Sequence, residues 1–380
     1  MYEQQVLKDI FLMFYGGVAV LDLIACCYLL LRQSNAFAPD VTPPVRLRRW
    51  TAALFAAMTL SHLWYLPMYI FSSSDVVNLS YLVGGLFDGL TIFPLMIVVL
   101  LVMLQDRRRP LWPTAVMMAP LVVAGAVCVA NHSVVFLPFI YVYFLLICIV
   151  IILYMVRALR QYDRWLLDNY ADLEHKEVRK SLAVLCITLL AMVIYIFEIG
   201  GQAYEYVMQV VDVLLVCYFL WRTETLSDLN IPVNHAEEHV DSQLLMSVAT
   251  GDTEDNSSSR SIRNNIGPLL RRHCEESQLY LQNDITLSQL AQQIGVNRVY
   301  LSKHFANQCT TYNAYINGLR IRHFIHLYHE AATVHQPITV QQLAYQSGFR
   351  TYGTFNTAFK QSMGMTATEW MRNQGEVVNT

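Results

Sequence analysis

Charge is what this sequence has least of. Only 14% of its 380 residues are Asp, Glu, Lys or Arg, while 55% are hydrophobic and the mean hydropathy is +0.35. Soluble domains carry about a quarter charged residues, so the composition excludes a chain that lives wholly in water. Paired cysteine spacing is missing as well. Of the eight cysteines, Cys26, Cys27, Cys128, Cys148, Cys186 and Cys217 fall inside apolar runs, Cys274 and Cys309 lie far downstream, and no CxxC occurs. That pattern argues against a disulfide framework and against a zinc ribbon. There is no Walker loop, HExxH, nucleophile elbow or kinase motif, so an enzyme is not expected, and neither is a cofactor.

Lys and Arg are absent from long stretches, and the places where they do occur orient the chain. Seven stretches, at 10–31, 50–71, 81–104, 111–130, 134–156, 182–200 and 203–221, are apolar over the roughly 20 residues that a hydrocarbon core requires. The first connection holds Arg32, Arg46, Arg48 and Arg49, the third holds Arg107, Arg108 and Arg109, and the fifth holds Arg157, Arg160, Arg164, Lys176, Arg179 and Lys180. The second, fourth and sixth hold none. The positive-inside bias then places the odd connections and the C-terminus in the cytoplasm and the N-terminus outside. A signal peptide ending at Ala36-Phe37-Ala38 competes for the first stretch. Its apolar run is too long for that, and cleavage would strand the following arginines outside. The last two stretches, joined around Gly201, also allow a re-entrant hairpin.

Five acids sit inside these stretches, Asp22, Asp88, Glu198, Glu205 and Asp212, together with His62. Ionisable groups are costly in lipid and mark function by default. On the orientation above, Asp22, His62 and Asp212 fall near mid-depth and Asp88, Glu198 and Glu205 toward the outer side. They can line a ligand pocket open to the outside, for a cationic or polyhydroxyl signal; the other reading makes them structural hydrogen-bonding groups. Tyr65, Tyr69, Tyr81, Tyr204 and Tyr206 read as an interfacial belt. Gly85 and Gly89 form a GxxxG that offers a homodimer contact.

Beyond the last stretch the chain turns polar and acidic, with Asp228, Glu237, Glu238, Asp241, Asp252, Glu254 and Asp255 before Asn256-Ser257-Ser258-Ser259. Residues 222–262 read as a flexible tether. An eleven-residue pattern then occurs twice, ITLSQLAQQIG from Ile285 to Gly295 and ITVQQLAYQSG from Ile338 to Gly348, identical at seven positions. Thr286 with Gln289, and Thr339 with Gln342, have capping-box spacing. Gly295 and Gly348 can end their helices in the left-handed region. A short amphipathic stretch follows each, marked by Leu301 and Phe305, then by Phe355 and Phe359. This is a helix-turn-helix written twice. Between the copies, Thr311 to Ala332 reads as one connecting helix, with Tyr315, Leu319, Phe324 and Leu327 near helical spacing. From Arg263 to Glu376 there are ten basic residues against six acidic ones, modest support for phosphate contact. His323, His326 and His329 recur every third residue, but the third falls on another face, so no metal is expected.

Residues 264–374 resemble the AraC/XylS family of bacterial transcription regulators, through the doubled LA..G pattern, YLSKHF, GLRIRHF and GFRTYGTFNTAFKQSMGMTATEW. The resemblance implies two helix-turn-helix subdomains joined by a long helix, each placing its second helix in the major groove of double-stranded promoter DNA, with RNA polymerase as a further partner. Carried over by position, Asn297 and Thr351 are N-caps. Arg298, Val299, Ser302 and Lys303 face the groove in the first unit, and Arg350, Tyr352, Gly353, Asn356, Thr357 and Lys360 contact DNA in the second. The chain departs from the family at Gln308-Cys309-Thr310-Thr311, a turn without the usual Gly, which puts the angle onto the connector in doubt.

The expected architecture is all-α: a seven-helix transmembrane bundle (1–221), an acidic linker (222–262) and a cytoplasmic double helix-turn-helix domain (263–380). The expected function is a one-component regulator of the bacterial inner membrane, whose lipid-embedded half senses a signal and controls promoter binding. Two alternatives stand beside it: a transporter or membrane enzyme with an autoregulatory tail, and a membrane-anchored regulator that does not sense.

Overall fold

A computed structural model of the chain describes residues 2–32, 35–39, 41–71, 73–131, 137–196, 201–229, 266–334 and 339–378. Among these the secondary structure is helical, with no strand beyond an isolated antiparallel bridge between Tyr170 and Thr286. The chain divides into two compact units, one formed by residues 1–162 and 178–231, the other by 163–177 and 232–380.

The N-terminal unit contains α1 (Tyr2–Leu31), α2 (Val45–Ile70), α3 (Ser74–Leu90), α4 (Ile92–Val102), α5 (Trp112–Asn131), most of α6 (Leu137–Asn169), α7 (Lys180–Ile196) and α8 (Gly201–Thr225). Helices α1, α2 and α8 pack on one another. Five helical stretches are long and apolar enough to cross a membrane: Lys8–Leu31, Val45–Ile70, Val83–Val102, Pro138–Asn169 and Glu205–Thr225. Trp112–Cys128 and Lys180–Ala191 are apolar but shorter. The stretch 81–104, read as one span, contains Val83–Val102, and its helix is interrupted once. The backbone breaks at Thr91, whose hydroxyl donates to Phe87 O at 2.7 Å. Pro94 explains the break, because it has no N–H for the carbonyl four residues back and its ring crowds that carbonyl. Large apolar side chains, among them Met13, Leu31, Leu153 and Leu214, lie exposed on the helices. Such a surface is costly in water and at ease in lipid.

Helix α8 also runs past Trp221, the expected end of the bundle. Its last turn is buried: Glu224 pairs with Arg48 at 3.4 Å and Thr223 bonds Thr51 at 2.9 Å, tying α8 to α2. Gln105 then holds Ser227 O and Leu229 N. The chain is therefore structured up to Leu229. Residues 230–265, which carry the expected tether, lie outside the described residues.

The C-terminal unit contains α9 (Leu287–Ile294), α10 (Arg298–Asn307), α11 (Tyr312–Thr333), α12 (Val340–Gln346), α13 (Tyr352–Met363) and α14 (Ala367–Val378). It has two apolar cores. Leu290, Leu301, Phe305, Tyr312 and Ile316 belong to the first, and Phe324, Leu343, Phe355, Phe359 and Trp370 to the second. The connector α11 serves both: its N-terminal half enters the first core and its C-terminal half, from Ile321, enters the second. Both capping boxes form, at Thr286 with Gln289 and at Thr339 with Gln342. Thr366 and Glu369 make the same reciprocal pair of bonds ahead of α14, which explains the T-x-x-E that closes the second repeat. Those bonds from Thr366 hold the Glu369 carboxyl below its ordinary range.

Candidate functional site

Each half of the C-terminal unit presents a helix pair with a tight turn. Gly295 (φ +69°) ends α9, and Asn297 then caps α10, its side chain accepting from Val299 N at 2.7 Å. In the second pair Ser347 ends α12, Gly348 follows with φ +87°, and Thr351 caps α13 by accepting from Thr354 N at 3.3 Å. A Cβ on Gly348 would lie 2.6 Å from the Leu281 backbone, so only glycine fits there; at Gly295 the same position is open. The turn without glycine resolves itself. Cys309 takes the left-handed conformation (φ +53°) that a glycine would supply, and Thr311 caps the connector by accepting from Ala314 N.

The residues read as DNA-contacting fall on or beside α10 and α13. Lys303, Thr357 and Lys360 are exposed, while Val299, Ser302, Tyr352 and Asn356 are half-buried. Thr357 bonds its own helix at Gly353 O, and Tyr352 packs against the second core. Arg350 pairs with Asp284, both carboxylate oxygens lying at 3.4 Å. Arg298 donates to Asn169 Oδ1 at 2.5 Å, and Asn169 is the last residue of α6.

That contact belongs to a larger one. Residues 163–177, expected as a cytoplasmic connection of the bundle, are part of the C-terminal unit. Ala171 is fully buried in the first core, and its carbonyl and that of Tyr170 accept from Asn313 at 2.8 and 3.1 Å. Tyr170 bridges Thr286, and Asp172 accepts from Thr354 in the first turn of α13 at 3.5 Å. Burial pushes the Lys176 ammonium below its ordinary range, against the pull of Asp172 and Asp284. One fifteen-residue segment thus touches the N-terminal ends of both α10 and α13.

Sequence reasoning also missed Arg320, counted above among the basic residues. It is fully buried between the two cores and donates to Tyr280 O (2.8 Å), Gln282 O (2.8 Å) and Asn283 O (3.1 Å), with its guanidinium over the Phe349 ring. It holds the unit together and is not free for phosphate. Burial lowers its pKa to about 10, so it stays charged at neutral pH.

Residues 290–373 match the family model described as a helix-turn-helix domain, of the AraC type. The C-terminal unit carries an AraC-type DNA-binding domain. No curated protein and no solved structure matches the chain. Within the AraC-type domain α10 and α13 are the second helices of the two helix-turn-helix pairs. Segment 163–177 therefore meets the domain at the first turn of each of these second helices.

In the N-terminal unit, three of the six ionisable groups read as a ligand pocket come together. His62 Nδ1 lies 3.5 Å from Asp22 and His62 Nε2 lies 3.8 Å from Asp212. Asp88 and Glu205, with Asp212, lie within electrostatic reach of Tyr15, whose hydroxyl donates to His62 O at 2.8 Å. Glu198 lies outside the described residues. Tyr69 and Tyr206, two of the tyrosines read as an interfacial belt, pack on Phe11, with ring centroids 5.2 and 4.9 Å away. On the connector the His323 and His326 rings stack with centroids 6.4 Å apart, His326 lies 3.5 Å from Glu330, and His329 packs on Trp370.

Proposed function

We propose that the chain is a membrane-embedded, one-component transcription regulator. Its AraC-type domain binds promoter DNA in the cytoplasm, and its N-terminal helices span the bacterial inner membrane and bias that binding in response to a signal. The observation that carries the reading is the placement of residues 163–177. The segment is the covalent continuation of α6, yet it is built into the DNA-reading unit and engages Arg298 and Thr354 at the starts of both recognition helices. A change in α6 has a direct route to the residues that read bases. An anchor without a sensing role would need no such segment in the core of the reader. The five apolar helices and the basic odd-numbered connections support the membrane placement.

The test uses the full chain in lipid nanodiscs, selected against random DNA and then footprinted. We expect a defined promoter sequence to be protected. Lys303→Ala should cost about 1 to 3 kcal/mol of discrimination at one position of that sequence. Asn169→Ala combined with Asp172→Ala should change promoter affinity without touching any DNA-facing residue. Failure of the full chain to prefer any sequence over random DNA would remove the regulator reading; unchanged affinity in the double variant would remove the coupling.

A further inference from the structure

We propose that Asp22, His62 and Asp212 form a binding site for a divalent transition-metal ion inside the N-terminal helical unit. Three helices supply one residue each: α1 gives Asp22, α2 gives His62 and α8 gives Asp212. One donor atom from each lies within 4.8 Å of the others. Asp22 is 0% exposed, and neither of its carboxylate oxygens has a hydrogen-bond partner; Asp212 Oδ1 lacks one too. A buried carboxylate without a donor is expensive, and either a proton or a cation relieves it.

The histidine is set for ligation. Its Nδ1 lies 2.9 Å from Met58 O. A carbonyl can only accept, so Nδ1 carries the proton, and in the neutral ring Nε2 presents its lone pair. A ring N–H held by a backbone carbonyl is the usual outer support of a metal-binding histidine. The Nε2 side faces Asp212 and also Gln209 Oε1 at 3.1 Å, one helical turn before Asp212 on the same face of α8. In the neutral ring no hydrogen then stands between Nε2 and these two side chains, while Asp22 lies 3.5 Å from Nδ1 on the ring's other edge.

Charge decides what kind of cation fits. With both carboxyls ionised, they and a neutral imidazole carry two negative charges, and Asp88 and Glu205 lie, like Asp212, within electrostatic reach of Tyr15. The sequence places no Lys or Arg on α1 after Lys8, on α2 between Trp50 and Ile70, on α3, or on α8 before Arg222. A proton on His62 would neutralise one carboxylate, whereas a divalent ion neutralises both. One nitrogen and two oxygen donors suit zinc-like ions, which accept imidazole, better than magnesium or calcium, which prefer all-oxygen sites. As the signal, this ion would deepen the regulatory role proposed above; the site itself stands on the geometry alone.

The experiment titrates Zn²⁺ alone into the chelator-stripped full chain in detergent micelles, following calorimetry and the melting temperature. We expect saturable binding of about one ion per chain and a rise in melting temperature. Asp212 lies at the rim, with 19% of its side chain exposed, so Asp212→Asn is the variant best placed to keep its helices, checked by circular dichroism. It should weaken binding at least tenfold, as should His62→Gln. The double variant His323→Gln, His326→Gln should bind like the parent. No saturable binding by the parent, undiminished binding by Asp212→Asn, or loss confined to the connector-histidine variant would each overturn the site. Promoter footprinting of the full chain with and without Zn²⁺ is scored separately: a footprint indifferent to Zn²⁺ in a chain that binds the ion would overturn its role as signal and leave both the site and DNA reading intact.

Discussion

Two glycines occupy equivalent places in the repeated motif and face different constraints. Gly295 needs only its left-handed backbone, so Gly295→Ala should cost about 1 to 2 kcal/mol. Gly348 needs the same and also sits against the Leu281 backbone, which cannot move aside as a flexible side chain would. Gly348→Ala should cost at least about 1 to 3 kcal/mol more from overpacking, and thermal unfolding of the pair of variants checks the order. Histidine burial gives a pH dependence. Desolvation lowers His323 and His304 below the ordinary 6.5. A histidine depressed in the folded state contributes stability that is complete above 6.5 and lost as pH falls through the folded value. The melting temperature of the C-terminal transition should therefore drop on acidification from pH 7 to 5, and His323→Gln should flatten that slope. Cys274 tells the residue-level story from another side. Burial pushes its thiol up to about 12, so it remains a small apolar core group at neutral pH.

Among the elements, α11 has the largest job. It carries two cores along one helix, and Arg320 marks the boundary between them, satisfying three carbonyls that precede α9. Arg320→Met would strand those carbonyls and should cost on the order of 3 kcal/mol, read as a lower denaturation midpoint, while removing no DNA contact. This element shows where the sequence was legible. The caps, the doubled Thr-x-x-Gln boxes and the apolar spacing of α9 to α13 are local, so residues three and four apart announce them. The role of Arg320 depends on chain forty positions upstream, and nothing beside it in sequence distinguishes it from a phosphate-binding arginine. The break at Thr91 lies between these extremes: Pro94 is close by in sequence, but it stands inside a continuous apolar run. Cys309 was equally hidden, since a cysteine gives no sign that it will stand in for a glycine.

At the scale of the whole molecule, the fifteen residues 163–177 separate the candidate functions. Replacing them with a Gly/Ser linker of equal length should leave the helices of the N-terminal unit formed, since that unit is built from 1–162 and 178–231. It should weaken the first core, which loses Ala171, and should uncouple promoter occupancy from anything that acts on the membrane half. Reporter expression that still responds to the signal after this replacement would argue for a route that bypasses α6.

The sequence by itself determined the classes of structure present. Apolar runs set the candidate spans, because lipid accepts only segments that satisfy their own backbone. Caps and turn glycines set the paired helix-turn-helix, because helix ends are governed by neighbours. Tertiary structure alone decided which distant groups meet: Asp22 with His62 and Asp212, Asn169 with Arg298, and Ala171 with the first core. Each of these meetings joins residues from separate segments of the chain. Packing of faces selects them, and no local pattern encodes it.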